Sequence, residues 1–220
     1  MKSVVTTSEA ESKIFKPHRA SVMLAGLYTR PPALVLLMSI SFKNFPDRLA
    51  LVVMGVSGSG KTTVGLRLAK ICQIEFIDGD DLHTSEARAK MASGTPLSDE
   101  DRWPWLDRIG TALADPVGHP AGLIVACSAL RRAYRDRLRA RVGATLRFLF
   151  LEGDEAMMLQ RVGGRKDHYM PASLVDSQFA TLEDPTGESD VITLIANADL
   201  EKKLPQTLQS LGGAWARFGG

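Results

Sequence analysis

Short apolar runs alternate with amphipathic stretches along the chain from Leu49 onward. This alternation is typical of a parallel sheet covered by helices. The predicted strands are Leu49–Met54, Ile74–Ile77, Leu123–Cys127, Leu146–Leu151 and Val191–Ile195. The predicted helices are Thr62–Ile71, Ser85–Ala92, Pro104–Ala114, Arg132–Arg141, Asp154–Val162, Pro171–Leu182 and Leu204–Leu211. The pattern therefore predicts an α/β fold with five parallel strands.

The start of the third predicted helix is ambiguous. Ser98 and Asp101 have the spacing of a capping box, which would place the start near Ser98. Pro104 equally favours a start at Trp103 or Pro104, because proline is well tolerated in the first helical turn.

The first 46 residues do not share the alternation. Their longest uninterrupted apolar run, Ala33–Met38, is far shorter than the roughly 18 residues that indicate a membrane span. A secretory signal also fits poorly, because the apolar residues lie too far from the N terminus. A transit peptide is the alternative to a poorly ordered extension or to sequence upstream of a true start at Met38. We expect residues 1–46 to be a poorly ordered extension and residues 47–220 to form one domain.

The composition is that of an ordinary globular protein. The 220 residues are 45% hydrophobic and 24% charged, with a net charge of +2, which argues against a membrane protein and against nucleic acid as a partner. Cys72 and Cys127 suggest no disulfide framework, so a reducing, cytoplasmic location fits best. The local excess of arginines in the fourth predicted helix is interpreted as its solvated face. These are Arg135, Arg137, Arg139 and Arg141.

A glycine-rich turn joins the first predicted strand to the first predicted helix. Residues 55–62, GVSGSGKT, match the P-loop pattern G-x-x-x-x-G-K-[ST] in full. Its glycines let backbone N–H groups point at phosphate oxygens, Lys61 can bridge the β- and γ-phosphates, and Thr62 can bind Mg²⁺. A GTPase is disfavoured, because no N-K-x-D motif occurs. The predicted ATP-binding residues here are Gly55, Ser57, Gly58, Ser59, Gly60, Lys61, Thr62 and Thr63, with Lys61 also a predicted catalytic residue.

Acidic residues follow the second predicted strand, where the sequence reads DGDDLH from residue 78 to residue 83. The carboxyl ends of strands in an open α/β sheet face one crevice, so these residues should lie near the P-loop. Phosphoryl transfer to an alcohol needs a carboxylate that accepts the hydroxyl proton. Asp80 is the predicted base, Asp78 a predicted metal ligand, and His83 a predicted substrate contact. The alternatives are ordinary turn aspartates and a surface histidine.

Cationic residues occur at the ends of several predicted elements. They are Arg102, Arg131, Arg132, Arg165, Lys166 and His168. Arginine is suited to bidentate binding of carboxylates and phosphates. Arg102, Arg131 and His168 are candidate substrate ligands, with Arg131 also a candidate catalytic cation. Residues 161–170, RVGGRKDHYM, would suit a lid that closes over the nucleotide, or alternatively a charged surface loop.

The motifs together resemble the gluconokinases of the shikimate-kinase-like group. The segments that carry the resemblance are MGVSGSGKTT, DGDDLH, KMASGTPLSDEDRWPWL, CSALRRAYRDRLR, FLFLEGD and GRKDHYMPASLVDSQFATLEDP. Many families share the P-loop, but KMASGTPLSDEDR and HYMPASLVDSQFATLE are far more specific. The resemblance extends from about Leu49 to Asp199. The extension before Leu49 has no counterpart in short members of the family, and Tyr169 stands where phenylalanine is common.

This resemblance implies a P-loop NTPase fold with strand order 2-3-1-4-5, a core like that of nucleoside monophosphate kinases, and a short lid. The implied reaction is phosphorylation of D-gluconate by ATP with Mg²⁺, giving ADP and 6-phosphogluconate. By motif, residues 58–63 would hold the triphosphate and metal, Asp80 and His83 would meet gluconate, and Arg131 would follow the third strand at the site. Arg161 and Arg165 would belong to a nucleotide-facing lid. A homodimer is also implied.

Two other functions stay open. A kinase of the same fold could act on shikimate or another sugar acid, because the same cations and carboxylates would serve. A non-catalytic ATP-binding regulatory module is a hypothesis of a different class. The combination of Lys61, Thr62 and Asp80 argues against it, because a silent module has no need of all three.

Overall fold

The computed structural model describes residues 48–163, 172–197, 202–204, 206–207 and 209–211. Five strands form a single sheet in which every pairing is parallel. They are β1 (Leu49–Met54), β2 (Glu75–Asp78), β3 (Gly122–Ala126), β4 (Leu146–Glu152) and β5 (Val191–Ile195). The strand order is β2-β3-β1-β4-β5, which confirms the predicted order. The predicted extension, residues 1–46, lies outside the described residues.

Helices occupy the connections between the strands. They are α1 (Lys61–Cys72), α2 (Ser85–Ala92), α3 (Asp99–Ala114), α4 (Arg132–Val142), α5 (Glu155–Gly163) and α6 (Ala172–Thr181), with a short 3-10 helix at Gly79–Leu82. The described residues between 202 and 211 are helical as well. Among the described residues, no helix has both the length and the apolar character that crossing a membrane requires.

The third helix begins five residues earlier than the prediction of a start at Pro104. Ser98 is its N-cap: the Ser98 hydroxyl accepts from the Asp101 N–H, and the Asp101 carboxylate accepts from the Ser98 N–H. This reciprocal pairing satisfies two N–H groups that would otherwise lack partners at the helix start. Pro104 therefore lies inside α3, and the capping box, not the proline, determines where the helix begins.

The core lies on both faces of the sheet, because every residue of β1 is buried. On one face Leu51 and Val53 pack with Val64 and Leu68 of α1. On the other face the alternate residues of β1 pack with α3 and α4. A parallel strand covered by helices on both sides has no polar face, which is why β1 reads as a continuous apolar run.

The prediction of a solvated arginine face on α4 is wrong for Arg135. Its side chain is 0% exposed and forms an ion pair with Glu188, and it donates to the carbonyl oxygens of Ala129 and Leu130 at 3.1 and 3.0 Å. Arg139 is half-buried against Asp190. The acidic partners come from the loop before β5, about 50 residues away in sequence, so helical periodicity does not reveal them. Two of the four arginines, Arg137 and Arg141, are exposed as predicted.

Candidate active site

The P-loop connects β1 to α1 through a turn that only glycine accommodates at two positions. Gly55 has a φ of +138° and Gly58 a φ of +84°, a region that residues with a Cβ seldom adopt. A Cβ would lie 2.8 Å from the Leu151 carbonyl oxygen at Gly55 and 2.9 Å from the Met158 carbonyl oxygen at Gly58. The loop is therefore packed against β4 and α5, with its backbone close to both.

Lys61 and Thr62 open α1 at the rim of a cleft. The Lys61 ammonium donates to the Val56 carbonyl oxygen at 3.0 Å, so it lies over the loop that precedes it. The Thr62 hydroxyl donates to Asp78 Oδ2 at 2.9 Å. Asp78 ends β2, and its other oxygen accepts from the Asp80 N–H at 3.2 Å. Two loops from different strand ends thus bring an ammonium, a hydroxyl and a carboxylate together.

The hydroxyl of Thr62 and the carboxylate of Asp78 would suit a magnesium ion. Mg²⁺ prefers oxygen ligands and is usually bound by one or two protein oxygens together with substrate phosphates and waters. The 2.9 Å separation of these two oxygens places them at neighbouring positions beside the P-loop. The residues present therefore fit a metal that is shared with the phosphates of a nucleotide.

Asp80 and His83 also line this cleft: Asp80 is in the 3-10 helix that follows β2, and His83 comes directly after that helix. The Asp80 side chain is 70% exposed, and its Oδ1 lies 4.0 Å from His83 Nε2. The His83 ring stacks on Trp105 of α3 with 4.3 Å between ring centroids. The indole N–H of Trp105 donates to the Gly79 carbonyl oxygen at 2.6 Å. Trp105 thus attaches the Asp80 segment to α3.

The pKa of His83 is lowered to about 4, chiefly by burial and further by the nearby cations Arg108, Arg88 and Arg102. Its usual value is 6.5, so the imidazole is neutral in the folded protein at pH 7. Between pH 4 and pH 6.5, the unfolded chain binds a proton at His83 more readily than the folded protein does. The contribution of His83 to stability is therefore complete above pH 6.5 and is lost as the pH falls towards 4.

We expect His83→Phe, which retains a stacked ring without a titratable group, to flatten the pH dependence of stability. Urea unfolding at several pH values between 7 and 4 measures this. The wild-type free energy of unfolding should fall more steeply than that of the variant as the pH is lowered from 6.5 to 4. Parallel curves for the two proteins would contradict the lowered pKa.

Two of the candidate cations meet around Tyr134 of α4, but only one of them lines the cleft. Arg102, in the first turns of α3, contributes to the cleft wall and donates to the Tyr134 hydroxyl at 2.8 Å. That hydroxyl donates to Asp99 Oδ1, and Arg131 donates to Asp99 Oδ2, each at 2.5 Å. Arg131 is therefore paired with a carboxylate, and it is not among the residues that line the cleft. Its predicted catalytic role stays a prediction.

The remaining candidates are distributed unevenly around the site. Arg161 of α5 has its Nη1 at 3.5 Å from the Gly58 carbonyl oxygen, beside the P-loop. Ser59 is buried and Thr63 is exposed; neither is among the residues that line the cleft. Arg165, Lys166 and His168 lie outside the described residues, as does most of the predicted lid.

Sequence reasoning missed Gln178, which lines the cleft from α6. Its Oε1 accepts from the Ser57 N–H at 2.7 Å, and its Nε2 donates to the Ser57 hydroxyl at 3.0 Å. A single glutamine in an amphipathic helix carries no signal of its own, because exposed glutamines are common. The motif SQFATLE that contains it was the available clue.

Cys127, another residue of the cleft wall, is not a candidate nucleophile. Burial raises the pKa of its thiol to about 12. The thiol is therefore protonated at neutral pH, and only the thiolate is nucleophilic.

The chain is similar to known proteins in sequence and in fold. A family model described as an AAA domain matches residues 51–185. The "Probable gluconokinase" of Schizosaccharomyces pombe is 43% identical over 157 residues, which cover 69% of this chain and 81% of that protein. The "Thermosensitive gluconokinase" of Escherichia coli K12 is 41% identical over 161 residues, covering 73% and 86%. The crystal structure of a gluconokinase from Sinorhizobium meliloti 1021 is 42% identical, covers 78% of this chain and 93% of its own, and superposes with a TM-score of 0.65.

Proposed function

Because this chain belongs to the gluconokinase family, we propose that it transfers the γ-phosphoryl group of ATP to D-gluconate, giving ADP and 6-phosphogluconate. One observation carries the proposal at the level of chemistry. A single cleft is lined by Lys61 and Thr62 of the P-loop and by Asp78 and Asp80 at the end of β2. A phosphate-binding loop and an exposed carboxylate in the same cleft are what phosphoryl transfer to a hydroxyl requires.

Lys61 and the P-loop N–H groups would bind the phosphates of ATP, and Thr62 with Asp78 would hold Mg²⁺. When bound, Mg²⁺ supplies positive charge that neutralises the β- and γ-phosphate oxygens. Lys61 lies at the start of α1, so its ammonium and the positive end of the helix act on the same oxygens. Support for the metal assignment is the contact between the Thr62 hydroxyl and the Asp78 carboxylate.

Asp80 would act on the acceptor. Its carboxylate orients a primary hydroxyl of gluconate and accepts the hydroxyl proton as the oxygen attacks the γ-phosphorus. A new O–P bond forms, the bond from the γ-phosphorus to the bridging oxygen breaks, and ADP leaves. His83, which is neutral at pH 7, can exchange hydrogen bonds with other hydroxyls of gluconate without adding charge.

The carboxylate of gluconate needs a cation at the far end of the cleft. Arg102 is better placed for this than Arg131, because Arg102 lines the cleft. Both arginines lie near Asp99, but Arg131 is held more tightly: its Nη1 is 2.5 Å from Asp99 Oδ2, whereas Nη1 of Arg102 is 3.9 Å from Asp99 Oδ1. The roles of His168 in substrate binding and of Arg165 in nucleotide binding stay predictions, as do a homodimer and a cytoplasmic location. Light scattering of the purified protein would test the dimer.

A coupled ADP-release assay tests the proposal directly. Purified protein with Mg²⁺-ATP is given gluconate, shikimate, glucose or another sugar acid in separate reactions. We expect strong stimulation by gluconate alone. If shikimate or another acid stimulates ADP release instead, that compound is the acceptor and the assignment of gluconate is wrong. If ATP binds and no acceptor stimulates ADP release, the non-catalytic regulatory module becomes the better explanation.

We expect Asp80→Asn to lower kcat by about 10²-fold or more, because the amide cannot accept the hydroxyl proton. Asp81→Asn is the matched control, since Asp81 is the neighbouring exposed aspartate of the same 3-10 helix. The assay above measures both variants at saturating ATP and gluconate. A kcat of Asp80→Asn close to that of Asp81→Asn would exclude Asp80 as the base.

A further inference from the structure

Gln178 and Ser57 form a two-point contact between α6 and the P-loop. The Ser57 N–H donates to Gln178 Oε1 at 2.7 Å, and Gln178 Nε2 donates to the Ser57 hydroxyl at 3.0 Å. Both distances are those of well-formed hydrogen bonds. A primary carboxamide is one of the few side-chain groups that offers a donor and an acceptor side by side. The contact therefore holds the backbone and the side chain of Ser57 at the same time.

The position of Ser57 gives this contact a consequence for nucleotide binding. Ser57 directly precedes Gly58, whose φ of +84° turns the backbone into the phosphate-binding loop. On its other side Gly58 is in contact range of α5, where an added Cβ would lie 2.9 Å from the Met158 carbonyl oxygen and 3.1 Å from Val162 Cγ2. The middle of the P-loop is thus held between α5, by close packing at Gly58, and α6, by hydrogen bonds at Ser57.

We propose that Gln178 is a positioning residue for the nucleotide. By holding Ser57, its carboxamide orders the P-loop in the conformation whose N–H groups receive the phosphates of ATP. A ligand binds more tightly to a loop that is already ordered, because binding then causes little further loss of conformational entropy. The inference rests on the nucleotide-binding part of the proposed function and is independent of the acceptor.

The length and both polar atoms of the side chain matter for this role. Glutamate at position 178 would keep an acceptor for the Ser57 N–H but lose the donor to the Ser57 hydroxyl. Methionine has nearly the same length and flexibility as glutamine and forms neither hydrogen bond, so it removes the contact with little change in volume. Gln178→Met is therefore the most informative substitution.

Direct titration of ADP into the purified full-length protein tests the proposal without any phosphoryl transfer. We expect Gln178→Met to raise the Kd for ADP about fivefold, since a net contribution of ~1 kcal/mol is typical of a neutral hydrogen bond. In steady-state assays the KM for ATP should rise by a similar factor, with the KM for gluconate within twofold of wild type. Asp176→Asn, an exposed position on the same helix, is the control and should leave both KM values and the Kd unchanged.

A purely structural role would give a different result. Partial unfolding lowers the active fraction and hence kcat, but the folded molecules would keep the wild-type Kd. A Kd for ADP in Gln178→Met equal to that of wild type would overturn the proposal. So would a lower Kd, which would mean that the carboxamide competes with a phosphate for the Ser57 N–H.

A double-mutant cycle with Ser57→Ala locates the effect at this contact. Ser57→Ala removes the hydroxyl and keeps the backbone N–H, so it removes one of the two hydrogen bonds. In that background Gln178→Met should cost less ADP affinity than it does in the wild type. Additive effects would overturn the assignment to Ser57.

If wild-type protein binds ADP and never phosphorylates gluconate, the proposed acceptor fails while the role of Gln178 stands.

Discussion

Lys61→Ala is expected to lower kcat about 10³-fold, by analogy with the loss of one preorganised electrostatic group in other enzymes. The Lys61 ammonium lies over the P-loop, 3.0 Å from the Val56 carbonyl oxygen, so it is oriented by the fold towards the phosphates. Negative charge on the oxygen that bridges the β- and γ-phosphorus increases in the transition state. Alanine removes the cation that balances this charge, and no other described P-loop side chain is cationic.

The coupled ADP-release assay at saturating ATP and gluconate measures this loss. Lys70→Ala is the control, because Lys70 is an exposed lysine in the last turn of the same helix, α1. The control should keep wild-type turnover. A kcat of Lys61→Ala within tenfold of the control would show that Lys61 does not stabilise the transition state.

Arg135→Met is expected to lower the free energy of unfolding by about 3 kcal/mol, because breaking a buried ion pair leaves its partner uncompensated. The Glu188 side chain is only 13% exposed, and Arg139 can compensate its charge only in part. The Ala129 carbonyl oxygen loses the Arg135 guanidinium as a donor at the same time, whereas the Leu130 carbonyl oxygen loses the guanidinium but keeps the Glu183 N–H. These carbonyls belong to the loop that follows β3, whose first residues line the cleft.

Arg137→Met is the matched control on the same helix. Arg137 pairs with Asp107, and both side chains are about half exposed, so its loss should cost less than about 1 kcal/mol. Urea unfolding at pH 7 measures both variants. The double variant Arg135→Met with Glu188→Gln should recover part of the stability, since it no longer leaves a buried carboxylate. Equal losses for Arg135→Met and Arg137→Met would contradict the account of a buried ion pair.

Most of the secondary structure could be predicted because each element carries its own signal. β1 and β5 begin and end at the predicted residues, as does α2. The largest difference from a predicted boundary is at α3, which begins at Asp99 because Ser98 and Asp101 cap it. The sequence contained this capping box, but Pro104 offered a competing local signal, and only the full hydrogen-bond pattern decides between the two.

The candidate site was predictable where its functional residues are neighbours in the sequence. The P-loop, Asp78, Asp80 and His83 are found at strand ends that meet in one cleft, as the rule for open α/β sheets predicts. Arg102 and Arg131 could not be distinguished from the sequence, because both are arginines near element ends. In the structure both arginines lie near Asp99, but Arg131 forms the closer ion pair and only Arg102 lines the cleft.

The sequence by itself determined the succession of strands and helices along the chain, the phosphate-binding loop and the acidic segment after β2. Each of these depends on periodicity or on neighbouring residues, and both are visible in the linear sequence. Only the tertiary structure decided that Arg135 is buried against Glu188 and that Gln178 holds Ser57. The second pair is separated by 121 residues, and contacts over such distances arise from packing of the helices on the sheet, which no local pattern contains.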